Sequence, residues 1–240
     1  MNFLKAEWRK LAIINYEINP DLLLKYLPEG TELDFYEGKC YVSVVGFMFL
    51  NTKLLGLAVP FHRNFEEVNL RFYVKKNENG VWKRGVVFIK EIVPKPALSF
   101  VANSVYKENY HTMPMKNLIH HQEEELLIQY SWKDKNWHSI QITAENKMKP
   151  MEADSEFEFI TEHYYGFTKK GNKTSEYEVC HPKWECYQVK DYQLDIDFHK
   201  IYGKDFECLT HQEPISVMLA EGSEIEVKTK KYILENKETV

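Results

Sequence analysis

The sequence has no surplus of basic residues: thirty-one Lys and Arg stand against thirty-six Asp and Glu, for a net charge of −5. Nothing is left over to neutralise phosphates, which argues against nucleic acid as the principal partner and favours solubility. The lysines are scattered, and short runs such as Lys169-Lys170 and Lys228 to Lys231 read as solvated charge at turns and strand ends. Cysteine is also scarce. Cys40, Cys180, Cys186 and Cys208 show no CxxC spacing for a zinc knuckle, so reduced, mostly buried thiols in a cytosolic protein are expected. Long apolar runs are missing as well. The opening "MNFLKAEWRKLAIINY" is broken by Lys5, Glu7, Arg9 and Lys10, which leaves no signal-peptide core. Residues 40–62 come nearest to a membrane span, but Asn51, Lys53 and Pro60 interrupt them. Their β-branched and aromatic left half predicts a buried strand followed by a loop. Dinucleotide, P-loop, nucleophile-elbow and HExxH zinc signatures are absent.

What the chain has instead is aromatic weight: fifteen Tyr, fourteen Phe and five Trp, residues that favour pleated sheet and apolar pocket walls. Strands are predicted at 10–18, 31–36, 40–50, 65–76, 82–93, 110–117, 125–133, 137–145, 176–180, 184–194, 214–220 and 224–234. "NENG" at 77–80 is a hairpin turn. Asn19 and Pro20 open a helix that Pro28 and Gly30 close, and an amphipathic helix is expected over 97–108. Ser155 and Glu158 form a capping box for a short helix toward Tyr165, and another short helix is expected near 198–206. No repeat or linker divides residues 1–240, which read as one domain. The fold class is therefore α+β and mainly β. A large, strongly curved, mostly antiparallel barrel-like sheet carries short helices outside and has room for a central cavity.

The stretch "NFEEVNLRFYV" (64–74) alternates Val68, Leu70, Phe72 and Val74 with Glu67, Asn69, Arg71 and Tyr73. An outward polar face would make Glu67, Asn69 and Arg71, with Arg84 and the Lys90-Glu91 end of the next strand, ordinary cross-strand partners. An inward face would make them buried ionisable groups suited to anion recognition or acid–base work. Composition and period alone favour the outward face. His120-His121 points to opposite sides of a strand, which does not suit a shared metal. "CHPKWEC" reads as a turn closed by Pro182 with a packed Trp184.

"LAIINYEINPDLLLKYLPEG", with "FHRNFEEVNLRFYV", "RGVVFIKEIVPKPAL" and "HPKW", resembles the YqjF-like family, a domain of unknown function, from about Trp8 to at least Trp184. That family is in turn similar, more remotely, to acetoacetate decarboxylase, a curved β-barrel around an apolar cavity in which a lysine forms a Schiff base with a keto acid. The resemblance implies that Glu67 is the cavity carboxylate, that Lys90-Glu91 takes the place of an Arg-Glu pair, and that Lys95 takes the nucleophile's place. It brings an inward polar face level with the outward one. Pro96 stands where that enzyme has a second lysine, and the preceding Gly-Gly run is missing. Lys95 thus lacks the neighbouring ammonium that helps to keep such an amine neutral.

The expected function is binding of a small molecule, carboxylate- or carbonyl-bearing, by Asn69, Arg71, Arg84, Lys90 and Glu91. Catalysis by Lys95 and Glu67 without metal or organic cofactor is the alternative, and a structural or interaction protein with a filled barrel is the third. No nucleic-acid or membrane partner is expected, the location expected is cytoplasmic, and homo-oligomerisation is left open.

Overall fold

The computed structural model describes residues 2–105, 108–171 and 173–233. Its strands are β1 (Asn2–Glu17), β2 (Glu32–Leu33), β3 (Phe35–Tyr36), β4 (Lys39–Leu54), β5 (Leu57–Ala58), β6 (Phe65–Glu78), β7 (Val81–Val93) and β8 (Tyr110–Thr112). Then come β9 (Met115–His121), β10 (Glu125–Lys133), β11 (Trp137–Lys149), β12 (Tyr165–Lys170), β13 (Lys173–Cys180), β14 (Cys186–Asp195), β15 (Ser216–Lys228) and β16 (Lys231–Ile233). Three helices, α1 (Pro96–Val105), α2 (Glu156–Thr161) and α3 (Phe198–Tyr202), are accompanied by short 3-10 turns.

Seven strands close a ring. β12, β7, β6, β4, β1 and β15 are neighbours in that order. β13 pairs with β12 on one side and with β15 on the other, through Val179 opposite Val227 and Cys180 opposite Glu226. Closure leaves few unpaired edges, as a sheet of this size requires. From β15 the sheet continues through β14, β11, β10 and β9. This extension wraps the outside of the ring.

Two cores follow from that wrapping. Val42, Val44, Val68, Leu70, Phe72 and Val74 point out of the ring and pack against Leu126, Ile128, Tyr130 and Trp132 of β10 and against Phe198 and Ile201 of α3. Ile13, Val45, Phe47, Phe49, Phe65 and Tyr73 point inward, where Phe159 and Ile160 of α2 and Trp184 meet them. Both faces of β4 and β6 are therefore buried, unlike an antiparallel sheet with one wet side.

Several boundaries differ from the sequence prediction. β1 starts at Asn2 rather than at 10. The segment after Asn19 forms two 3-10 turns instead of an α-helix, although Asn19 caps it as expected, accepting from Asp21 N at 3.0 Å. The Ser155 cap is present, but α2 ends at Thr161 and β12 follows at Tyr165, a strand that the local pattern did not announce. The strands expected at 214–220 and 224–234 are chiefly one, β15. Gly222 at φ +80° passes the Trp8 carbonyl where a Cβ would collide. Cys40 is buried, Cys180 and Cys186 are half-buried and Cys208 is exposed, all unpaired, so the thiols are less buried than expected. No described helix is long and apolar enough to cross a membrane.

Candidate functional site

Inside the ring lies a cavity of ≈ 160 Å³ lined from all seven ring strands, α1, α2 and the segments around His163 and His181. Its walls are largely aromatic, with Phe47, Phe49, Phe65, Phe88 and Trp184 among them. Glu67, Asn69 and Arg71 line it, only 2 %, 2 % and 8 % exposed. The polar face of β6 turns inward because the apolar face is claimed by β10, β11 and α3 outside.

Register places the remaining groups. Asn69 stands opposite Glu91, so Glu91 also faces the cavity, 2 % exposed. A bulge intervenes, since Leu70 pairs with Lys90 but Arg71 pairs with Phe88. Ile89 and Lys90 consequently both turn outward, and the Lys90 ammonium donates to the Ile201 carbonyl of α3. Arg84 lies outside the cavity too; its Nε donates to Asp34 Oδ2 at 2.7 Å and its guanidinium sits over Phe159. Lys95 is half-buried just before α1, where its carbonyl accepts from Leu98 N, and it is not part of the lining. The structure therefore brings together Glu67, Asn69, Arg71 and Glu91 of the expected set, and places Arg84, Lys90 and Lys95 elsewhere.

At one end of the cavity three carboxyl groups meet. Glu67 accepts from Asn69 Nδ2 at 2.9 Å and from the Tyr110 hydroxyl at 3.1 Å. Glu108, whose carboxyl is enclosed beside them, accepts from Thr168 at 2.7 Å and is hydrogen-bonded by Tyr177. Burial pushes Glu67 up to about 7, against the hydrogen bonds from Asn69 and Tyr110, and the charge of Glu108 adds to the rise. Glu108 is likewise pushed up to about 7 by burial. Glu91 is also raised well above the usual carboxylate range, by burial and then by Glu108 and Glu67, and its Oε2 has no partner among the described residues. Carboxyl groups poised near neutrality can give or take a proton at working pH.

Further along the wall stands Arg71. Its Nη2 donates to the Ile160 carbonyl at 3.4 Å and its guanidinium lies 5.6 Å from the Tyr73 ring centre. Nε has no acceptor, and the side chain forms no ion pair among the described residues. The Tyr73 ring also meets His163, centre to centre at 4.8 Å. Nε2 of His163 lies 3.2 Å from Asp34 Oδ2, the atom that Arg84 also holds. Burial would raise Asp34, but hydrogen bonds from His163 and Arg84 outweigh it and keep the carboxylate ionised. His163 is depressed to about 4, by burial first and with help from the charges of Arg84 and Arg71, so the ring is neutral at pH 7. His181 stacks on Trp184 at 4.2 Å and is lowered by burial as well; the indole donates to Ser223 at 2.9 Å. The expected packed indole is there, in a segment without a regular turn, and it belongs to the cavity wall.

Sequence reasoning missed Asp34, Glu108, Tyr110, His163 and Tyr177. Only Asp34, between Leu33 and Phe35, carries a local signal; the others have polar or ionisable sequence neighbours, and closure of the ring is what gathers them. No group of three His, Cys, Asp or Glu side chains suited to a metal occurs among the described residues. No described lysine or cysteine lines the cavity.

Comparison with known proteins agrees with this architecture. Residues 5–224 match the model of DUF2071, described as an uncharacterized conserved protein. Uncharacterized protein YqjF of Bacillus subtilis (strain 168) is 31 % identical over 81 residues, about a third of either chain (33 % of this one and 34 % of that one). Among solved structures, acetoacetate decarboxylase from Legionella pneumophila superposes with a TM-score of 0.66 at 15 % identity, over 97 % of this chain and 87 % of that one. The enduracididine biosynthesis enzyme MppR complexed with pyruvate gives 0.67 at 9 % identity, over 97 % and 91 %. At such identities the likeness shows a shared fold.

Proposed function

This chain belongs to the DUF2071 family of uncharacterized conserved proteins, and we propose that the cavity inside its ring binds a small organic carboxylate. The observation that carries this reading is Arg71. A guanidinium stays charged in a protein interior and needs acceptors for its donors. Here it faces a cavity, 8 % exposed, with Nε unsatisfied and no ion pair among the described residues. A carboxylate would supply the missing acceptor and the missing charge together, in the planar geometry that a guanidinium matches.

Size narrows the ligand. A cavity of ≈ 160 Å³ is close to the roughly 150 Å³ void that accommodates benzene, so a molecule of about six to eight non-hydrogen atoms fits. The aromatic walls would take its hydrocarbon part, and Glu67, Glu91 and Glu108 would offer proton donors and acceptors at its far end. The likeness to acetoacetate decarboxylase and to MppR with pyruvate is in keeping with small acids, as an analogy of fold. The Schiff-base alternative finds no support from Lys95, which lies off the cavity, so non-covalent binding is the better reading.

Titration calorimetry with a series of short carboxylates tests this, comparing wild type with Arg71→Met. Binding should weaken at least about tenfold in the variant, the loss of one charge-assisted hydrogen bond or more. Its melting temperature should stay level or rise, because a buried unpaired charge has gone. Equal binding by both proteins, or no binding of any carboxylate to wild type, would sink the reading.

A further inference from the structure

His163 follows the C-cap of α2, in "ITEHYYGF", and its ring is fixed on two sides. It stands 4.8 Å from the Tyr73 ring and meets Phe159 edge-on at 5.0 Å. Asp34, its partner, is itself anchored. The Asp34 backbone N–H donates to the Tyr73 carbonyl at 3.0 Å, and Arg84 holds the carboxylate from outside.

That arrangement decides the tautomer. An ionised carboxylate only accepts, so the imidazole proton must sit on Nε2, and Nδ1 carries a lone pair. Nδ1 is buried and has no hydrogen-bond partner among the described residues, on a ring that lines the cavity and is 7 % exposed. An unsatisfied acceptor in a dry wall is costly unless something donates to it. Arg71 and His163 pack on the same Tyr73 ring, so a group held by the guanidinium brings its next carbon toward the imidazole.

We propose that His163 Nδ1 is the second anchor of the cavity, accepting a hydrogen bond from a hydroxyl beside the ligand's carboxylate, so that the site selects 2-hydroxy acids over the matching 2-oxo acids. A 2-oxo oxygen has lone pairs only. Set against Nδ1 it leaves two acceptors facing each other, both unsatisfied. A 2-hydroxyl turns its proton to the ring and satisfies both. An imidazolium would reverse the preference; burial first, and then the guanidinium groups of Arg84 outside and Arg71 inside, oppose it and outweigh the pull of Asp34. The inference rests on the carboxylate reading of Arg71 and adds what stands next to the carboxylate.

The test is affinity for lactate, pyruvate and propionate, measured on wild type and on His163→Phe, together with nitrogen NMR of the histidine rings. Lactate should bind wild type about three- to tenfold more tightly than pyruvate, the factor of one neutral hydrogen bond. The ratio should fall toward one in His163→Phe. The His163 spectrum of wild type, which needs no variant to fold, should show Nδ1 without a proton at neutral pH and an upfield shift of that nitrogen on adding lactate. Equal affinity for lactate and pyruvate, or a protonated Nδ1, would overturn the His163 proposal and leave the Arg71 reading standing. Failure of all three acids to bind wild type would overturn both.

Discussion

The two ends of the cavity respond to burial in opposite directions and reach the same state. At the carboxylate end burial raises Glu67, Glu91 and Glu108, favouring the protonated acids. At the imidazole end burial lowers His163, favouring the free base. The acids gain protons, the base loses one, and both ends move toward neutrality. Arg71, between them, has no neutral form to retreat to. A desolvated wall that disfavours every charge except one cation would suit an anion, as the proposed function requires. Glu67 and Arg71, four residues apart on one strand, would thus offer a ligand different things: a tunable proton and a fixed charge.

The strongest way to break this contrast is Asp34→Ala, which strips the acceptor from both His163 and Arg84. Orphaning partly buried charge of this kind should cost about 3 kcal/mol, roughly a 10 °C fall in melting temperature. Carbon NMR should find Glu67 titrating as before, since Asp34 takes no part in its hydrogen bonds. A shift in Glu67 would mean that the two ends are one network.

A medium effect comes from Glu67→Gln, which imitates the protonated acid. The folded chain holds the Glu67 proton up to about 7, whereas the reference carboxyl releases it near 4.5. Between those values the folded state binds more protons, so this group lowers stability as pH rises from about 4.5 through about 7. The variant should melt level with wild type near pH 5 and several degrees higher above pH 7, roughly. His163 works with the other sign, since its folded value of about 4 lies below the reference 6.5 and its contribution is lost as pH falls between them. An advantage of Glu67→Gln that is flat from pH 5 to 8 would show that the carboxylate end is not neutralised. The smallest effect belongs to Lys95→Met, off the cavity. Carboxylate affinity should be unchanged and stability within about 0.5 kcal/mol.

How much of this could be read from the chain differs from residue to residue. The β6 strand and its two faces were legible, because alternation of Val68, Leu70, Phe72 and Val74 with polar residues survives any environment. Which face looked inward was not. Alternation is unchanged when the faces are exchanged, and the deciding fact is the second layer of β10, β11 and α3 on the apolar side. Glu67 and Glu91 were candidates from the hairpin itself, and resemblance to a known family added weight to an inward face. Asp34 and His163 were invisible, because they are 129 residues apart and one sits between two-residue strands. Tyr177 and Glu108 meet only when β13 closes the ring.

The bulge opposite Leu70 has an effect larger than its size. Counting by strict alternation from Phe88, Lys90 would enter the cavity and Glu91 would leave it; one extra residue, Ile89, reverses that assignment. A single residue of slack in β7 thus sets the polarity of the chamber: with it the wall offers an acid, without it an amine. An amine there would be a nucleophile in an apolar ring, the one ingredient that the described lining lacks. Between an acid and an amine on this wall, the distance is one residue of register.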